Sequence, residues 1–219
     1  MAGFAKGSEM RGILHELRWI GAILDAMSLD HLRKDLVIET SLVGHPLRLH
    51  STWGLFSPRS IDEGSALLLD HLEVRENDIA LDMGCGYGPL GLSIAQRATQ
   101  GQVHMVDKDF LAIEYANANA ERNCLGNARA YLSNGFSHVE PDLPLSLVVS
   151  NLPAKVGNEF FQIMFDDAYH RMQPGARIVV VTINGLRGFI KRSFNEVFGN
   201  YDKLKQGKSY TISMAVREP

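Results

Sequence analysis

Four glycines fall within eight residues of this chain, directly behind a short apolar run. Residues 80–91 read Ala-Leu-Asp-Met-Gly-Cys-Gly-Tyr-Gly-Pro-Leu-Gly, which places Gly84, Gly86, Gly88 and Gly91 just after Asp82. Glycine lets a backbone turn sharply and come close to a ligand that a Cβ would obstruct. A strand, a glycine loop and a following helix make the first half of a nucleotide-binding βα unit. A bare βα turn is the alternative, but one such turn rarely needs four glycines.

Gly86-x-Gly88-x-x-Gly91 also fits the dinucleotide fingerprint G-x-G-x-x-G, a weak match on its own. Asp82 argues against a dinucleotide. In such sites the loop and helix N-terminus receive an anionic pyrophosphate, which a carboxylate just before the first glycine would repel. S-adenosylmethionine has no phosphate and carries a sulfonium and an ammonium, so an acid at the mouth of the loop suits it. A second acid is expected at the end of the next strand. Gly101-Gln-Val-His-Met-Val-Asp107 supplies it, 25 residues beyond Asp82. The two oxygens of Asp107 suit both hydroxyls of a ribose. Asp109 is then left to cap the helix that follows.

The rest of the chain alternates strands and helices. The patterning predicts strands near 78–82, 102–107, 127–132, 145–150, 176–183, 200–205 and 209–216, and helices near 89–99, 109–123, 157–172 and 185–198. Such alternation implies a parallel sheet covered on both faces. Only Gln206-Gly207-Lys208 separates the last two strands, which predicts an antiparallel hairpin. Ser60-Ile-Asp62-Glu63 reads as an N-cap, at Ser60, followed by first-turn acids. Further upstream, Met10–Met27 has helical apolar spacing, and Val37–Thr40 with Leu47–Ser51 suggests a small hairpin around Gly44-His45-Pro46. Residues 1–50 are read as an N-terminal extension that packs on a domain spanning 51–219, with a cover over the site or a dimer contact as alternatives.

Composition excludes several classes. A hydrophobic content of 45% suffices for one core, and no apolar run approaches the roughly 20 residues of a membrane span. No secretory signal is expected, so the cytoplasm is the default compartment. Cys85 and Cys124 are read as small fillers, and no Cys/His cluster has metal spacing. Net charge is −3, so the chain is no basic nucleic-acid binder as a whole. Residues 185–219 carry seven Lys/Arg against three Asp/Glu, however. That basic tail suits phosphates, or it is an ordinary solvated face.

The ordered motifs resemble the class I S-adenosylmethionine-dependent methyltransferases, and among them the "methyltransferase small" family. Gly54-Leu-Phe56-Ser57-Pro-Arg59-Ser-Ile-Asp62-Glu-Gly64-Ser65 is similar to that family's entry segment. Leu81-Asp82-x-Gly84-Cys-Gly86-Tyr-Gly88 matches its glycine loop. Asn134-Gly135-Phe136 stands where it has Asp-Gly-Phe, and Ser150-Asn151-Leu152-Pro153 where it has Ser-Asn-Pro-Pro. Phe198-Gly199-Asn200, Gly207 and Tyr210 resemble its C-terminal hairpin. The resemblance implies a Rossmann-like α/β fold with a seven-stranded, mostly parallel sheet. It implies a cofactor site of Phe56, Ser57, Asp82, Gly84, Cys85, Gly86, Gly88, Asp107, Lys108, Asn134, Gly135 and Asn151. It also implies a catalytic segment of Asn151, Leu152 and Pro153.

In the related amino methyltransferases, the Asn side-chain oxygen and the next carbonyl accept both N–H groups of a planar amine. The lone pair is thereby aimed at the methyl carbon. Two departures stand out here. Leu152 replaces a proline with fixed φ. Ala154 replaces an aromatic residue whose stacking is worth about 1–3 kcal/mol per base; Phe56 and Tyr87 are candidate substitutes. Asn134 for Asp keeps an acceptor for an adenine amine. The plain alternative for Asn151 is a turn residue bonded to its own backbone. The expected activity is N-methylation, with guanine N2 in ribosomal or other RNA as acceptor. A small molecule or protein amide is the first alternative, and a catalytically weak binding module the second. Either a monomer or a homodimer fits.

Overall fold

The computed structural model describes residues 34–154 and 156–218. The helix expected at 10–27 lies outside them. The described chain opens with an antiparallel hairpin of β1 (Leu36–Leu42) and β2 (His45–Ser51). It continues α1 (Glu63–His71), β3 (Ile79–Met83), α2 (Pro89–Arg97), β4 (Gln102–Asp107), α3 (Phe110–Arg122), β5 (Ala128–Leu132) and β6 (Leu145–Asn151). It ends with α4 (Asn158–Arg171), β7 (Met172–Ile183), α5 (Arg187–Phe198), β8 (Asp202–Gln206) and β9 (Tyr210–Val216). The seven core strands form one sheet in the order β5-β4-β3-β6-β7-β9-β8. Only β9 runs against its neighbours, so the expected parallel sheet with a C-terminal hairpin is what forms.

Helices cover both faces because successive strand residues point to opposite sides. Leu147, Val149, Val179 and Val181 bury against Leu68, Leu92, Ile94 and Ala116 of α1, α2 and α3. The intervening Val148, Ile178 and Val180 bury against Phe161, Phe165, Ile190 and Phe194 of α4 and α5. An unbroken apolar run such as Leu-Val-Val in β6 is the sequence signature of this two-sided burial.

The N-terminal hairpin is fastened to α3 by two carboxamides that imitate a neighbouring strand. Asn119 accepts from the His50 N–H at 2.7 Å and donates to the His50 carbonyl at 2.8 Å. Asn123 does the same with Arg48, at 3.0 and 2.9 Å. A boundary after residue 50 falls within β2.

At the amino edge of the sheet, Arg177 and Asp78 form a buried ion pair, 2.8 Å at the shorter contact. Ser146 donates to Asp78 and the Arg75 N–H adds another bond. The terminal nitrogens of Arg177 and both oxygens of Asp78 are bonded there, while the buried Arg177 Nε is left without a partner among the described residues, and the cluster lies at the opposite end of the strands from the glycine loop. Its role is structural. Among the described residues, no helix is long and apolar enough to cross a membrane.

Candidate active site

The sheet order reverses between β3 and β6: the chain runs outward through β4 and β5, then returns to the far side of β3. Ligands of open α/β sheets bind at such a switch point, outside the carboxyl ends of the strands. Asp107, Asp82 and Asn151 stand at or near the ends of β4, β3 and β6. These three strands are adjacent, each about 5 Å from the next. Ser150 ties two of the ends together by donating to the Met83 carbonyl at 2.7 Å.

The glycine loop follows β3. Gly84 and Gly86 have φ of +74° and +55°, and a Cβ at either would meet open space. The need for glycine there is conformational, and the room above the backbone is free for a ligand. Gly91 is required for a different reason: a Cβ would lie 2.5 Å from Met105, so the residue sets the approach of α2 to the sheet. Helix α2 begins on Gly88, which has no capping side chain, with Pro89 at its first position. Asp82 supplies the missing cap from the preceding strand, accepting the Gly91 N–H at 2.8 Å.

Asp82 is fully buried, beneath the loop rather than at its mouth. Burial pushes its carboxyl up to about 7; the Gly91 bond pulls it down and the charge of Asp107 adds to the rise. Its second oxygen, Oδ1, is buried and has no partner among the described residues. An acceptor left bare in this way is costly unless a ligand donates to it. Asp107 is half-buried. Its Oδ2 accepts the Gly86 N–H and its Oδ1 the Asp109 N–H, both at 3.0 Å. Asp109 caps α3 through the Leu111 N–H, as the sequence predicts. The open loop, the bare anionic oxygen and the strand-end carboxylate together fit a cationic nucleoside such as S-adenosylmethionine.

Other expected residues are placed as follows. The Cys85 side chain packs into the core, and burial followed by the charges of Asp82 and Asp107 pushes its thiol well up. It stays neutral and offers the ligand only backbone. Gly135 has φ of +58° and turns the chain after β5, with Asn134 exposed beside it. Lys108 is exposed. Ser57, at φ of +47°, bonds its own loop by donating to the Ser60 carbonyl. Phe56 is 68% exposed.

Tyr87 is not available for stacking. It is buried, and its hydroxyl donates to the carbonyls of Ser57 and Ser60, pinning the entry loop to the glycine loop. Burial, then the charge of Asp62, pushes this phenol up to about 12. Nor is Ser60 the N-cap of α1. Asp62 is, because its carboxylate reaches the N–H groups of Gly64 and Ser65 at 2.8 and 3.1 Å.

Asp62 also reaches across the site. Asn151 Nδ2 donates to Asp62 Oδ2 at 2.8 Å and to Ser65 Oγ at 2.9 Å. The Tyr210 hydroxyl stands 3.5 Å from Asp62 Oδ1. Among the described residues, nothing donates to Asn151 Oδ1 or to the Leu152 carbonyl. Leu152 itself is buried, and its N–H donates to Val181, so the backbone conformation is held without the missing proline. Pro153 and Ala154 are exposed. Asp62, Ser65 and Tyr210 are functional candidates that the strand-end motifs do not single out. Their signals in sequence are the N-cap pattern before α1 and their places in the entry segment and the C-terminal hairpin, neither of which joins them to Asn151.

A seven-stranded sheet of this order, with a glycine loop and two strand-end acids at its switch point, defines the class I methyltransferase fold. The family model of the methyltransferase small domain matches residues 46–214. The chain belongs to that family and is an S-adenosylmethionine-dependent methyltransferase. YbxB of Bacillus subtilis is 32% identical over 165 residues, covering 74% of this chain and 82% of its own. Ribosomal RNA large subunit methyltransferase G of Psychromonas ingrahamii is 24% identical over 192 residues, 84% of this chain and 50% of its own. Among solved structures, the T. thermophilus 16S rRNA N2 G1207 methyltransferase (RsmC), in complex with AdoMet and guanosine, superposes with a TM-score of 0.76. It is 26% identical and covers 84% of this chain and 51% of its own. The present chain spans about half the length of these last two proteins.

Proposed function

We propose that this chain methylates an exocyclic amine of an RNA base, with guanine N2 in ribosomal RNA as the acceptor. Residues 51–219 are the catalytic unit, 1–50 an extension, and the cytoplasm the place of action. The carrying observation is the Asn151 carboxamide: both its N–H groups are engaged within the protein and its oxygen faces no internal donor. The carbonyl of the next residue, Leu152, accepts from no group among the described residues. Two acceptors side by side match the two N–H groups of a planar amine. An amine held by both has its lone pair fixed in direction, the condition for in-line attack.

Neither acceptor is basic. Their contribution is orientation and dipolar stabilisation of the positive charge that grows on nitrogen. S-adenosylmethionine supplies the methyl group on a sulfonium that is already a good leaving group. Asp107 holds it through the ribose, and the buried carboxyl of Asp82 beneath the loop supplies a negative charge that complements its cationic end.

Three features support RNA. The solved relative cited above is a guanine-N2 enzyme of 16S rRNA, and the matching curated relatives include rRNA enzymes. The basic tail reaches the site edge: Asn184 donates to the carbonyls of Gly207 and Lys208 at 3.2 and 2.9 Å. Arg187, Lys205 and Lys208 are exposed around that turn, where phosphates would be attracted. Phe56, exposed in the entry loop, offers the ring that Ala154 lacks. The absent ring at 154 also favours a second reading, in which the amine belongs to a small molecule or a protein amide.

Methyl-labelled S-adenosylmethionine incubated with separated RNA, protein and metabolite fractions tests these readings. Label in rRNA, recovered as N2-methylguanosine and abolished by Asn151→Ala, is expected. Label confined to protein or metabolites would overturn the RNA assignment. Unchanged turnover in Asn151→Ala would overturn the orienting role.

A further inference from the structure

We infer that Asp62 is a positioning residue which locks the carboxamide of Asn151 in one of its two orientations, and so makes the site select an N–H donor. This rests on the amine-methylation reading above. A primary carboxamide is nearly symmetric in shape but not in chemistry: one end donates, the other accepts. Flipped by 180°, Asn151 would present two N–H groups to the acceptor and would repel an amine. Something must hold it one way round.

Asp62 can do so because an ionised carboxylate only accepts. Its Oδ2 stands 2.8 Å from Asn151 Nδ2, where a flipped carboxamide would set oxygen against oxygen. Ser65 Oγ takes the second proton of the same nitrogen at 2.9 Å. A hydrogen bond to a charged acceptor is roughly twice as strong as a neutral one, which favours the unflipped form by about tenfold or more. With both N–H groups engaged, Asn151 has only its oxygen left for the acceptor molecule.

Asp62 is itself held from three sides. It caps α1 through the Gly64 and Ser65 N–H groups, and Tyr210 from β9 closes on its other oxygen. The first turn of α1, the end of β6 and the start of β9 therefore share one carboxylate. The same oxygen caps the helix and orients the amide, so the two duties can be separated by choice of substitution. Serine caps as well as aspartate, but its hydroxyl is one atom shorter and does not reach Asn151. Asparagine caps equally well and can place its own oxygen where Asp62 Oδ2 stands.

The test compares Asp62→Ser and Asp62→Asn with wild type. Melting temperature, S-adenosylmethionine affinity by calorimetry, and kcat and KM on 16S and 23S rRNA transcripts are measured for each. Asp62→Ser should keep its melting temperature within a few degrees and its cofactor affinity, yet lose about tenfold to a hundredfold in kcat with a smaller change in KM. Asp62→Asn should retain most of kcat. Unchanged kcat in Asp62→Ser, or equal loss in both variants, would overturn the assignment while leaving the amine reading intact. Wild-type protein that methylates neither transcript would overturn the RNA reading and this assignment with it.

Discussion

Asp82 offers the sharpest test of how the cofactor half of the site works. In the ligand-free chain its carboxyl is fully buried, with one oxygen bonded to the Gly91 N–H and the other bare. Burial lifts it from an ordinary 3.8 to about 7. Each tenfold change in proton affinity is about 1.4 kcal/mol, so ionising this group costs the folded chain roughly 4 kcal/mol. The sign follows from linkage. Between about pH 4 and pH 7 the unfolded chain has lost this proton and the folded chain keeps it, so stability falls as pH rises and levels off above about 7. Asp82→Asn cannot ionise and escapes the loss. Without cofactor, the variant should therefore gain on wild type by about 3 kcal/mol between pH 5 and pH 8, equal to roughly 6–12 °C in melting temperature for a domain of this size. Urea or thermal unfolding at the two pH values measures it, and the difference between the proteins cancels every other titrating group. In the same variant, S-adenosylmethionine should bind at least tenfold more weakly at pH 8. Wild type should release a proton on binding at pH 6, seen as a buffer-dependent heat, and Asp82→Asn should not. A stability difference that stays constant from pH 5 to pH 8 would refute the account of a buried acid kept in reserve for a cation.

Asp107→Ala should weaken S-adenosylmethionine about a hundredfold by calorimetry, because two charge-assisted bonds to a ribose and the anchor of the Gly86 N–H go together; equal affinity would sink the ribose assignment. Asn119→Ala removes three bonds to backbone, two at the half-buried His50 and one to the buried Tyr87 carbonyl at 2.9 Å. It should cost about 3 kcal/mol in urea unfolding and loosen the glycine loop enough to lower cofactor affinity. A loss under about 1 kcal/mol would mean the hairpin is not fastened there.

The sheet was legible in sequence, and so was the placement of the candidate cofactor residues at its strand ends, because each rests on local chemistry. Gly84 and Gly86 mark a loop by their conformation, Asp82 and Asp107 mark strand ends by polarity at the close of apolar runs, and Leu-Val-Val in β6 marks two-sided burial. Asp82 shows where local reading stops: the sequence puts an acid next to the loop but not whether it faces water or lies beneath it. Tyr87 shows the same limit, since an aromatic in a ligand loop reads as a stacking ring until its hydroxyl is found on Ser57 and Ser60.

The acceptor half was less legible because its key contacts span the chain. Asp62 and Asn151 are separated by 89 positions and meet only when α1 packs on the sheet over β7 and β9; Tyr210, 148 positions from Asp62, joins them. In sequence, Asp62 is one of several polar residues before a helix, and a capping preference cannot tell it from Ser60. The departures at Leu152 and Ala154 are explained by the same geometry. Proline's fixed φ is dispensable where the Leu152 N–H is bonded to Val181 and its side chain is buried. The carboxamide's direction is set from the protein side, by a carboxylate. On the proposed reading, what remains at residues 151 and 152 is a pair of acceptors suited to an amine, with the ring that carries it recognised elsewhere. The exposed Phe56 on the entry loop that Tyr87 pins in place is where that recognition is expected.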